Sequence, residues 1–242
     1  MITQEAPPRG ATHIRTFHPR RGRIGATRAD ALARLWPRYG YDIDSAYENS
    51  AYKTSGHADF DPAALFGREA GLVLEIGCGM GDATAAMAAA DPGRDYLAVD
   101  VHTPGLANLL ALAERGDLDN VRAARGDAVE LLRDLMKPGS LGAVHIFFPD
   151  PWPKAKHHKR RIVRPDVVAL IRGRLVPGGV LHCATDWAPY AEQMLEVLSA
   201  DPGLRNLSDG YAPRPASRPV TGFERRALAA GRDIYDLIFA RK

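Results

Sequence analysis

From Leu72 onward, apolar runs of strand length alternate with amphipathic stretches of helix length, and that rhythm admits few folds. Strands separated by helices cannot pair as tight hairpins. Each helix must carry the chain back across the sheet, so successive strands run parallel. The strand-length runs are Leu72–Ile76, Tyr96–Val101, Val121–Ala124, Ala143–Phe148 and Val180–Ala184. Between them, Ala128, Leu131, Leu132, Leu135 and Met136 recur at helical spacing, as do Ala191, Met194, Leu195 and Leu198, so each segment lays one apolar stripe on the sheet. Pro138-Gly139 and Pro177-Gly178-Gly179 stop helices ahead of the next strand. A last run, Asp233–Ala240, sets Tyr235, Leu237 and Phe239 on one face and Ile234 and Ile238 on the other, and is expected to close the sheet as an antiparallel strand.

Residues 1–60 carry Pro, Gly and Arg without sustained periodicity, apart from a short helical candidate around Asp30–Leu35. They are read as a basic, partly disordered N-terminal arm before a single domain at 61–242; a chain of 242 residues buries one substantial core. From Ala6 to Ala29 there is no acid but there are six arginines: Arg9, Arg15, Arg20, Arg21, Arg23 and Arg28. No apolar run approaches the roughly 20 residues of a membrane span, and Met1–Gly10 lacks a signal-peptide core, so a cytoplasmic location is expected. Cys78 and Cys183 lack the paired spacing of a zinc site; reduced thiols and no metal are expected.

The first strand runs straight into Gly77-Cys78-Gly79-Met80-Gly81, with Asp82 opening an alanine-rich helix. Glycines at the carboxyl end of a strand allow a tight turn and close approach of a ligand to the backbone. Glu75 precedes this loop within the strand, and Asp100 ends the second strand. A dinucleotide fingerprint would place its third glycine one residue later and would receive a pyrophosphate where Asp82 sets a negative charge. A cationic, phosphate-free ligand fits better. S-adenosylmethionine is such a ligand, its ribose hydroxyls suiting Asp100 and its adenine amine suiting Asp127 of Gly126-Asp127-Ala128. The alternative is structural: Glu75 as a strand-end charge, Asp127 as a helix N-cap.

After the fourth strand comes Phe147-Phe148-Pro149-Asp150-Pro151-Trp152-Pro153-Lys154, then a basic run with Lys156, His157, His158, Lys159, Arg160, Arg161 and Arg164. Three prolines in five residues stiffen a loop at the ligand-binding end of the sheet and frame Asp150. Trp152 suits either stacking on a base or packing.

With Leu74–Gly81, Phe148–Lys154, His158–Arg161, Ala184-Thr185-Asp186-Trp187 leading to Tyr190, and Thr221-Gly222-Phe223-Glu224-Arg225, the chain resembles the bacterial tRNA (guanine-N7-)-methyltransferase family over residues 45 to 242. The resemblance implies an α/β, Rossmann-like class I methyltransferase fold: a mostly parallel seven-stranded sheet, helices on both faces and an antiparallel C-terminal strand. It implies methyl transfer from S-adenosylmethionine to guanosine 46 in the variable loop of tRNA. Glu75, Gly77, Gly79, Asp100, Asp127 and Asp150 would line the cofactor site, with Asp150 also catalytic. Lys154, Asp186, Thr221 and Glu224 would hold the substrate, and Lys156, His157, His158, Lys159, Arg160 and Arg161 would meet RNA. Tyr190 has no assigned role. The spacing of Thr221 and Glu224 also matches a helix capping box. Monomer and homodimer both remain open. Two rival functions stand beside this one: an amino-group methyltransferase, and a noncatalytic RNA-binding protein that keeps the fold.

Overall fold

Alternation along the first central strand sets the layers. The computed structural model describes residues 14–17, 24–43 and 60–242. Arg9, Arg20, Arg21 and Arg23 lie outside the described residues. In β2 (Gly71–Ile76), Leu72, Leu74 and Ile76 enter one apolar cluster while Val73 enters the other. Period-two pleating therefore sends Glu75 to the Val73 side. Over that side lie α1 (Ala26–Tyr39), α3 (Asp82–Ala90) and α4 (Thr103–Arg115). The opposite side is covered by α2 (Pro62–Phe66), by α5 (Ala128–Glu130) with the π-helical turn Leu131–Leu135, by α6 (Pro165–Arg174) and by α7 (Ala188–Ala200).

The other strands are β1 (Gly40–Asp42), β3 (Arg94–Asp100), β4 (Val121–Arg125), β5 (Leu141–Phe147), β6 (Leu175–Thr185), β7 (Leu204–Asn206) and β8 (Tyr235–Arg241). They form one sheet in the order β1-β4-β3-β2-β5-β6-β8-β7. β8 runs antiparallel to β6 and β7, and every other pairing is parallel. The strand order reverses between β2 and β5, the switch point beyond which open α/β sheets hold ligands. A last helix, α8 (Gly222–Ala229), lies between β7 and β8 in the chain. No helix among the described residues is long and apolar enough to cross a membrane.

The sheet has eight strands, not the seven expected, because residues 40–42 add an edge beside β4. Part of the stretch expected as an arm packs on the sheet. Leu35 and Tyr39 of α1 are buried in the second cluster, and burying a leucine is worth roughly 1.5–3 kcal/mol. The Arg122 guanidinium lies 5.4 Å from the Tyr39 ring and 4.9 Å from Phe66, tying α1 and α2 to β4. Leu32, Leu35, Trp36 and Tyr39 do carry helical spacing, but Pro37 and the surrounding arginines obscure it.

Candidate active site

At the switch point lies a cavity of about 750 Å³, within the range of cofactor sites, roughly 300–1,000 Å³. Its floor is the glycine loop, where Gly77, Gly79 and Gly81 take φ of 78°, 57° and 77° in the left-handed region that favours glycine. Asp100 holds this loop from the end of β3: one carboxylate oxygen accepts from the Gly79 N–H at 2.9 Å, the other from the His102 N–H at 2.8 Å. α4 can press against the loop only because residue 105 is glycine. A Cβ there would lie 1.8 Å from the Gly79 carbonyl oxygen.

Glu75 lines the cavity while only 3% exposed, and accepts a 2.6 Å hydrogen bond from the Thr84 hydroxyl of α3. Burial pushes its pKa up to about 7; the Thr84 bond opposes that rise and the Asp100 charge adds to it. An acid so placed gains a great deal from a cationic ligand. Asp127 lines the cavity as well, and it is also the N-cap of α5, accepting from the Val129 N–H at 2.8 Å. Capping α5 therefore does not take Asp127 out of the cavity wall. Glu75, Asp82, Asp100 and Asp127 set four carboxylates around a left-handed glycine loop, which fits a ligand with positive charge and vicinal hydroxyls, as S-adenosylmethionine has.

Asp150 faces the same cavity from the end of β5. Its loop is bracketed by two non-glycine residues in the left-handed region, Phe148 at φ 51° and Trp152 at φ 46°. Such conformations cost on the order of 1–2 kcal/mol each and persist where surrounding packing enforces them. Phe148 is held by its N–H donating to the Ala184 carbonyl at 2.7 Å, and its ring lies 5.2 Å from Phe223. Trp152 is 8% exposed, edge-on to His157 at 5.8 Å and under the Arg160 guanidinium at 4.9 Å. Of its two expected roles, packing is the one observed.

The basic run forms a 3-10 helix, Ala155–Arg160. Lys154, Lys156, His158 and Lys159 are exposed, while His157 and Arg160 are half-buried. His157 is held below the usual histidine range, first by desolvation and then by Arg160, Lys156, Lys154 and Lys159. Arg161 departs from expectation. Only 3% exposed, it donates to the Pro151 carbonyl at 2.9 Å and lies 4.6 Å from the Tyr190 ring, so it fastens the proline loop to α7 and offers RNA no surface.

The substrate residues divide. Asp186 and Thr221 line the cavity, and Asp186 pairs with Arg232 at 2.8 Å. Lys154 stands on the basic turn, outside the lining. Glu224 does not face the cavity. It is 2% exposed, and both its oxygens accept from Arg218, at 2.5 and 3.2 Å. Thr221 does cap α8, accepting from the Glu224 N–H at 3.2 Å. Arg218 also donates twice to Asp236, each at 2.8 Å, and Asp236 is bonded to His182 at 2.7 Å. Sequence reasoning missed Arg218, Arg232 and Asp236. Nothing local marks them, because their partners lie on other elements. Trp187 and Phe223, exposed at the cavity, sit inside sequence motifs that assign neither of them a role.

A family model described as "Putative methyltransferase" matches residues 69–237. A tRNA (guanine-N(7)-)-methyltransferase of Streptomyces coelicolor is 52% identical, over 98% of this chain and 85% of that protein. A Burkholderia mallei protein of the same name is 50% identical, over 98% of this chain and 86% of its own. The chain belongs to the bacterial tRNA (guanine-N7-)-methyltransferase family. Among solved structures, the 16S rRNA methyltransferase KamB aligns with a TM-score of 0.56 at 19% identity, covering 76% of this chain and 95% of KamB. TrmN from Thermus thermophilus aligns at 0.51 with 17% identity, covering 74% of this chain and 47% of TrmN. These two likenesses concern the fold alone, which is that of the class I methyltransferases. In this family member the motif residues Glu75, Asp100, Asp127, Asp150, Asp186 and Thr221 face one cavity.

Proposed function

We propose that this protein transfers the methyl group of S-adenosylmethionine to N7 of a guanosine in tRNA, at position 46 of the variable loop, giving 7-methylguanosine. The observation that carries the reading is the union of family membership at 52% identity with one cavity lined by Glu75, Asp100, Asp127, Asp150 and Asp186. When bound, S-adenosylmethionine supplies an electrophilic methyl group on its sulfonium. Glu75 would meet a positive group of that donor, Asp100 and the Gly77–Gly79 backbone the sugar, and Asp127 the adenine amine.

Guanine N7 carries an in-plane lone pair and needs no proton removed, so the chain's task is alignment and charge. Asp150, held in its proline frame, and Asp186 would accept from the guanine ring N–H and amine, and their negative charge would favour a base that becomes cationic. Thr221 would line the base on the α8 side. Lys154, Lys156, His157, His158, Lys159 and Arg160 would meet RNA phosphates from the turn beside Asp150. Incubation with labelled S-adenosylmethionine and unmodified tRNA, followed by nucleoside analysis, tests the reading. Label recovered as 7-methylguanosine, and its loss from tRNA lacking guanosine 46, is expected. Label on an exocyclic amine, or cofactor binding with no transfer, would replace it with one of the two rivals.

A further inference from the structure

Resting on that reading, we infer that Arg218 is a positioning residue for the acceptor side of the site, and that Glu224 acts on catalysis through it. Among the described residues Arg218 is the largest fully buried side chain, 1% exposed, and its guanidinium joins three elements. Through Glu224 it anchors the first turn of α8, where Thr221 and Phe223 line the cavity. Through Asp236 it is tied to β8 and, by His182, to β6. Its third contact is with the end of β5, the guanidinium lying 5.8 Å from the Phe147 ring and 5.7 Å from Phe148. Phe148 is the left-handed residue two positions before Asp150, and its ring also meets Phe223. One buried cation therefore fixes both walls between which the base would enter, without reaching the cavity itself.

The donor side is built from β2, β3, β4 and the glycine loop, none of which Arg218 touches through these bonds. Loss of the guanidinium should therefore loosen acceptor alignment while leaving the donor site intact. Misplacement of about 1 Å in such a site lowers turnover by up to about a hundredfold.

The test is a double-mutant cycle of Arg218→Met and Glu224→Gln, read as kcat, KM for tRNA and calorimetric cofactor affinity, well below each variant's melting temperature. Turnover is counted per cofactor-binding molecule. In Arg218→Met, kcat should fall about tenfold to a hundredfold while cofactor affinity and KM stay within about threefold. Glu224→Gln should lower kcat alone yet add nothing in the Arg218→Met background. Arg218→Lys, which keeps the buried charge, should recover part of the loss, and it takes the place of Arg218→Met in the cycle if the latter does not fold. Full kcat per folded molecule in the Arg218 variant would overturn the inference, leaving Arg218 a stabilising residue only. So would losses that multiply, since Glu224 would then act independently of Arg218. A wild type that binds cofactor but never methylates tRNA is a different result, and it removes the proposed function first.

Discussion

Glu75→Gln tests whether the carboxyl at the end of β2 is an acid held uncharged until a cation arrives. In the folded chain burial keeps its proton on up to about pH 7, whereas the ordinary value is 4.5. Between those values the native state holds a proton that the unfolded chain has lost. Stability from this group is thus fully present below about pH 4.5 and is lost as pH rises through about 7. At about 1.4 kcal/mol per pH unit, that window amounts to ~3 kcal/mol, a sizeable part of a typical total of about 5–15 kcal/mol. Glutamine keeps the shape and can still accept from Thr84, but it has no charge to bury. Urea unfolding should therefore find Glu75→Gln close to wild type at pH 5 and more stable by ~2–3 kcal/mol at pH 8. Cofactor affinity should move the opposite way, falling at least tenfold. In the wild type, a cationic ligand should drive the carboxyl to ionise, so binding near pH 6.5 should release a proton. Calorimetry in buffers of different ionisation enthalpy reads that proton directly. Parallel pH–stability curves for the two proteins, or binding heats independent of buffer, would refute the reasoning.

Asp150→Asn keeps shape and one acceptor oxygen but removes the charge. Labelled methyl transfer should drop on the order of a hundredfold with cofactor affinity nearly unchanged, and near-normal turnover would remove the charge argument. Asp127 has two roles that substitution can separate: Asp127→Asn keeps a good N-cap and should cost little stability, while Asp127→Ala should cost about 1 kcal/mol, and both should weaken cofactor binding. Neutralising Lys156, Lys159 and Arg160 together should flatten the salt dependence of tRNA binding by about one unit per lost phosphate contact, whereas an unaltered slope would mark a solvated loop. Arg161→Ala should leave that slope alone and lower the melting temperature, because its guanidinium is spent on Pro151 and Tyr190.

Much of the site was legible because its signals are local. A strand that ends in spaced glycines must turn at the ligand end of a parallel sheet, and an acid within its apolar run, Glu75, must find a partner there. Asp150 was marked by the prolines on either side. By contrast, α1 was largely missed: its apolar spacing is broken by Pro37, and only the packing of Leu35 and Tyr39 against α4 and β4 resolves it.

The sequence by itself determined the alternation of the five central strands with helices along the chain, the ligand end of the sheet and the acids gathered there, since period and turn chemistry act over a few residues. Only the tertiary structure decided which charges stay available. Arg160 and Arg161 are adjacent and chemically identical, yet one sits over Trp152 on the basic turn and the other is buried against Tyr190. Glu224, spaced from Thr221 like half of a capping box, is instead claimed by Arg218, which Asp236 of a distant strand also holds. A buried charge takes whichever partner the completed sheet brings within about 3 Å, and strand order, set by the packing of the whole chain, makes that choice.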